Sequence, residues 1–158
     1  MNPTDPRKPA GAPPSGAPEY LLFVYGAFLS GEPEHARLSG ARPLGPAETE
    51  PAYDLVDLGA EPALVPGGTT AVKGEVYALT PAQLAAVDIH HGHPLRYRRG
   101  TIRLADGRLV EAHQVAPDQT RGRRRIRSGD WKTRLSPRAV EDDRAWSRFA
   151  RERGRAPR

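Results

Sequence analysis

No apolar run in this sequence outlasts the six residues Tyr20–Tyr25, and most apolar segments are cut short by glycine or proline. Runs of that length suit strands and fall far below the ~18–20 residues that span a bilayer. Such a chain is confined to short strands joined by turns, with helices only where the apolar spacing changes to three or four. With 158 residues and 37% apolar side chains, it suits one domain with a modest core. The absence of cysteine removes disulfides, thiolate nucleophiles and cysteine–zinc sites. No membrane contact and a cytoplasmic location are expected, since the first residues also lack the apolar centre of a signal peptide.

Residues 1–18 hold six prolines, two glycines and almost no large apolar side chain, the composition of a disordered leader. The folded domain is expected over residues 19–135. Tyr20–Tyr25, Leu44–Thr49, Ala52–Leu58, Ala63–Val65 and Thr70–Leu79 read as strands, and Gly74 marks a bulge or a close backbone approach. Tyr97–Leu104 and Leu109–Val115 read as a hairpin turning at Asp106-Gly107. A short helix is expected from Pro33 to Leu38. A second begins at Thr80-Pro81, with Thr80 as N-cap and Leu84 and Val87 on one face, and Gly92 and Pro94 end it. Ser136-Pro137 opens a last helix in a basic extension over residues 136–158, with Trp131 and Trp146 anchoring the C-terminal segment. The predicted fold class is α+β, a mainly antiparallel β-barrel flanked by a few helices.

The net charge of +5 is unevenly placed. Residues 1–120 carry 10 basic and 14 acidic side chains, whereas residues 121–158 carry 14 basic and 5 acidic ones. The run Arg121-Gly122-Arg123-Arg124-Arg125-Ile126-Arg127 could contact phosphates. It has no interleaved aromatics and no nucleic-acid fold motif, so it is read as a solvated loop and nucleic acid is not the expected partner.

Three of the five histidines, His90, His91 and His93, fall within four residues at the end of the second helix. Gly92 and Pro94 interrupt the helical spacing that a metal pair would need, and no metal is expected. His90 and His93 read instead as caps on the helix carbonyls.

Seven blocks then carry a resemblance. They are Val24–Gly31, Pro51–Gly59, Pro62–Gly67, Val72–Tyr77, Leu84–Asp88, Tyr97–Arg99 and Ser128–Trp131, in order over roughly residues 20–131. Together they resemble the gamma-glutamylcyclotransferase-like family, also called AIG2-like or BtrG-like, whose bacterial members typically open with V-Y-G-[ST]-L-[RK]-x-G. The resemblance implies an antiparallel barrel whose pocket holds a γ-glutamyl group. Backbone amides of the loop after the tyrosine would bind the carboxylate end of that small-molecule substrate. A glutamate would carry the proton as the α-amine attacks its own γ-carbonyl, releasing 5-oxoproline and an amine without any cofactor. On this pattern Tyr25, Gly26, Ala27, Phe28, Glu75 and Tyr97 are the candidate binding residues. Tyr25 and Tyr97 also read as core aromatics.

The sequence departs from the family where the chemistry lies. Val87-Asp88-Ile89-His90-His91-Gly92 places His91 where the glutamate is expected, and Ala27, Phe28 and Leu29 replace the Ser/Thr, leucine and basic residue of the loop. His91 is therefore the candidate catalytic residue, since imidazole titrates near neutrality. Asp88 and Glu75 are the carboxylates that could assist it. Two readings stand: an enzyme acting on a γ-glutamyl-type amide, or a diverged reaction in the same pocket, against a non-catalytic descendant that binds a small molecule or a partner.

Overall fold

The structure is a computed structural model that describes residues 18–154. The leader expected over residues 1–18 lies outside the described residues except for Pro18. The elements run β1 (Tyr20–Val24), β2 (Arg42–Glu48), β3 (Tyr53–Asp57), β4 (Pro62–Pro66), β5 (Lys73–Leu79), α1 (Pro81–His90), β6 (Arg98–Arg103), β7 (Leu109–Gln114) and α2 (Pro137–Gly154). The helix expected from Pro33 is only a 3-10 turn, His35–Leu38, because so short a segment cannot repay the cost of helix nucleation.

Hydrogen bonding orders the strands β2-β5-β1-β7-β4-β3, with β6 on the opposite edge of β7. The pairings are antiparallel except at β7, whose second edge is shared by two parallel neighbours. Glu111 faces Leu22 of β1, and Gln114 faces Leu64 of β4. The far end of β2 returns toward β6 through a bridge between Thr49 and Leu104, with the Ala105 amide donating to the Glu48 carbonyl at 2.8 Å. The sheet thus curls around its core but meets itself only at this bridge, so "barrel" describes it loosely.

Sequence explains most of these elements. Pro43 and Pro46 are tolerated in β2 because it pairs with β5 alone, through a register shift between Pro43 and Gly45. Gly74 is a close approach rather than a bulge: a Cβ there would collide with the Val24 carbonyl and the Phe23 ring. Thr80 and Gln83 form a reciprocal capping box at the start of α1, with bonds of 3.2 and 2.8 Å. That helix buries Leu84 and Val87 against the sheet, as their spacing requires.

The arginine run departs most from expectation. Residues 121–123 stay exposed as expected, but residues 124–126 lie along β3: the Ile126 amide donates to the Leu55 carbonyl at 2.7 Å, and Ile126 is buried. Arg125 pairs with Asp54, and Arg124 reaches Asp143 of α2 with its Nη2 at 2.5 Å. The Arg127 amide donates to the other Asp143 oxygen at 3.0 Å, while its guanidinium lies 3.5 Å from the centre of the Trp146 ring. Trp131 is fully buried in the core, whereas Trp146 stays half-exposed and holds α2 through Arg127. Asp143 is only 5% exposed, so its loss leaves partly buried donors without their acceptor. Asp143→Ala is expected to cost about 2 kcal/mol, discounted because Arg124 keeps some solvent. Urea denaturation checks this, and amide exchange should rise first in α2.

Candidate active site

At the end of β1 the chain must leave β7, because the next stretch of that edge belongs to β4. Tyr25 fills the fork. Its buried hydroxyl donates to the His113 carbonyl of β7 at 2.6 Å and accepts the Leu64 amide of β4 at 3.0 Å. Burial pushes the phenol well above its ordinary pKa, so it remains a protonated bridge. Gly26 follows, and the Pro62 ring occupies the space that any Cβ would need. Only glycine lets the loop pass so close to β4.

The loop then folds back through bonds from the Leu29 amide to the Gly26 carbonyl and from the Glu32 amide to the Leu29 carbonyl, at 3.0 and 2.9 Å. The amides of Gly26, Ala27 and Phe28 meet no protein acceptor among the described residues, and all three residues line a cavity. Backbone amides left free on one concave wall suit an anionic or carbonyl oxygen. The cavity's other walls include Tyr25, Glu61, His91, Tyr97 and His113. Its volume is about 20 Å³, room for roughly one water molecule. A larger guest therefore requires the walls of the cavity to move apart.

His91 is both the C-cap of α1 and a wall of this cavity. Its Nδ1 lies 3.0 Å from the Val87 carbonyl, an acceptor only, so Nδ1 carries the hydrogen and Nε2 holds the lone pair. The ring is sandwiched between Phe28, 4.9 Å away at 25°, and His113, 4.1 Å away at 8°. Burial holds its pKa below 6.5, outweighing the Val87 bond, so the ring is neutral near pH 7. The carbonyl cap expected of His90 and His93 is supplied by His91. His90 instead places Nε2 3.3 Å from Glu61 Oε1, and His93 Nδ1 accepts the Arg99 amide at 3.0 Å. Among the described residues no group of three His, Asp or Glu side chains is arranged to hold a metal ion.

Behind His91 lies a second layer. His113 Nε2 donates to Asp88 Oδ1 at 2.7 Å, and Arg99 Nε donates to the same oxygen at 3.0 Å. Burial alone would raise the Asp88 pKa, but these two bonds outweigh it and hold the carboxyl below its usual range. Burial drives His113 down to about 4, against the pull of Asp88. Tyr97 donates to the Pro62 carbonyl at 2.9 Å and sets its ring edge-on to His91.

Tyr25, Gly26, Ala27, Phe28, Tyr97 and His91 thus converge on one cavity. Glu75 does not join them. Its carboxylate accepts from the Ser30 amide at 3.1 Å, the Ser30 hydroxyl at 2.8 Å and the Tyr77 hydroxyl at 2.7 Å, bracing the loop from its far side. Burial opposes ionisation there, yet those bonds hold its pKa below the usual value. Asp88 lies one layer behind the cavity, and Leu29 is in the core. Sequence reasoning missed His113 and Glu61. Glu61 sits directly before Pro62, which borders the loop, and that adjacency was the only signal pointing to it.

Residues 22–133 match the family described as "Gamma-glutamyl cyclotransferase, AIG2-like". The chain belongs to this family. A Vibrio cholerae serotype O1 protein named "Putative gamma-glutamylcyclotransferase" is 41% identical over 117 residues, 74% of this chain and 99% of that protein. The crystal structure of c4763, a uropathogenic E. coli-specific protein, is similar with a TM-score of 0.67 at 25% identity, covering 76% of this chain and 98% of that one. A mouse AIG2-like protein gives 0.58 at 25% identity, over 63% and 81% respectively. In this gamma-glutamyl cyclotransferase, AIG2-like chain, the loop after Tyr25 and the end of α1 thus face each other across one cavity.

Two outcomes follow from the geometry. Tyr25→Phe removes the hydroxyl between Leu64 and His113 and should cost about 1–3 kcal/mol in urea unfolding. Stability should also fall as pH drops from 6.5 toward 4. In that window the unfolded chain binds a proton that folded His113 refuses, a difference worth up to roughly 3 kcal/mol. Thermal melts across pH 7.5–4.5 check this, and His113→Asn should flatten the decline.

Proposed function

We propose that this protein is a small-molecule enzyme of gamma-glutamylcyclotransferase type, closing the glutamyl end of a γ-glutamyl-type amide into 5-oxoproline and releasing an amine. The observation that carries this reading is the inward-facing His91, neutral, with Nε2 unbonded among the described residues, in the same cavity as three free loop amides. Family membership supports the reaction class.

The chemistry asks for little beyond placement. Closing a five-membered ring is fast once the α-amine is held against the γ-carbonyl, and one positioned proton carrier contributes about 10²–10⁴-fold. Nε2 of His91 takes a proton from the attacking nitrogen and returns one to the departing nitrogen. The amides of Gly26, Ala27 and Phe28 receive oxygen atoms of the substrate. Tyr97 and Tyr25 hold β4 and β7 so that the walls stay in register. Acyl transfer of this kind runs on side chains and backbone alone.

Histidine at position 91, where the family resemblance expects a glutamate, favours a second reading, a protein that binds a small molecule or a partner without turnover. Assays for 5-oxoproline release from a panel of γ-glutamylamines separate the two. Turnover is expected in the wild type, with an acidic limb below pH 6.5 set by His91. His91→Ala should lose at least about 100-fold in kcat. An inert wild type that gains turnover in His91→Glu would move the protein to the binding class.

A further inference from the structure

The family glutamate is missing from the end of α1, yet the cavity does hold a carboxylate. Glu61 lies in the β3–β4 connection, its side chain is 13% exposed, and it lines the same cavity as His91. Its Oε2 has no hydrogen-bond partner, alone among the buried side-chain polar atoms of the described residues. A buried carboxylate oxygen left without a donor is costly unless something fills the place. Oε1 meets His90 at 3.3 Å, and the carboxylate lies close enough to the Tyr97 hydroxyl to add to the rise in pKa that burial causes there. Arg96 Nη2 stands 3.3 Å from Oε2 without hydrogen-bond geometry, on a side chain that is 61% exposed.

We infer that Glu61 receives the substrate's α-ammonium group at Oε2, and that Glu61 and His91 together do what one glutamate does in the family. This rests on the cyclotransferase reading above. Proton accounting favours two acceptors. The lactam nitrogen keeps one of the three ammonium hydrogens, so two must leave. One goes to the Glu61 carboxylate and one to His91 Nε2. The freed lone pair forms the new bond to the γ-carbon as the bond from that carbon to the departing nitrogen breaks. That nitrogen takes both protons and leaves as an ammonium ion. A neutral imidazole alone binds an ammonium group poorly, and Asp88 and Glu75 are engaged by other partners. The ammonium takes the position that Arg96 now holds beside Oε2.

Calorimetry with two probes tests this: a γ-L-glutamylamine, and the glutaric monoamide of the same amine, which lacks the α-ammonium. The wild type should prefer the ammonium-bearing probe at least tenfold. Glu61→Gln should erase that preference with its thermal melt retained, and Glu61→Asp should restore part of it. A preference that survives Glu61→Gln, or no preference in the wild type, overturns the assignment. The cyclotransferase reading fails separately: a preference that depends on Glu61 but yields no 5-oxoproline keeps the ammonium site and removes the reaction. Release of 5-oxoproline undiminished in Glu61→Gln keeps the reaction and removes the site.

Discussion

The fork on one edge of β7 organises this molecule. Two parallel strands cannot both continue along the same edge, so β1 must stop where β4 begins, and the backbone groups at the junction must be satisfied. The Tyr25 hydroxyl does this by taking an amide from one strand and giving its proton to a carbonyl of the other. The candidate cavity opens beside that point. The chain turns away at Gly26, leaves three amides free, and comes up against the histidine that ends α1. Without the bridge, β4 and β1 would be related only through their separate pairings with β7.

Charge plays a structural part in the C-terminal quarter. Asp54, Asp57 and Asp143 draw two arginines of the 121–127 run, Arg124 and Arg125, onto β3 and α2. Within the run, Arg124 and Arg125 are thus held in ion pairs and Arg127 in a cation–aromatic stack. Trp131 belongs to the same arrangement from the other side, sealing the core while Arg134 lies over its outer face.

Most of the secondary structure was legible because it rests on local rules. The Asp106-Gly107 hairpin, the Thr80 cap with Gln83, and the strand at Tyr20 each depend on residues within a few positions of one another. The seven family-like blocks carried the fold. What escaped the sequence was long-range. Nothing local says that Gly26 needs its missing Cβ because of Pro62, that Ile126 adds to the edge of β3, or that His113 stacks on His91. The site was legible in the same proportion. Tyr25, Phe28, Tyr97 and His91 follow from the pattern. Glu75, a carboxylate on the expected strand, turned out to brace the loop, and Glu61 gained its place only when β4 was laid beside the loop.

The bond from His91 Nδ1 to the Val87 carbonyl has a consequence for how this residue differs from a glutamate. A carboxylate at the end of α1 has no hydrogen to give that carbonyl, so nothing would tether it to the helix. Imidazole uses one nitrogen as a peg and keeps the other for exchange with its surroundings. Gaining a proton at Nε2 leaves the peg in place. The helix end and Nε2 thus belong to one tethered ring, and the tether is the same whether or not that nitrogen carries a proton. Any guest has to fit around a tethered post.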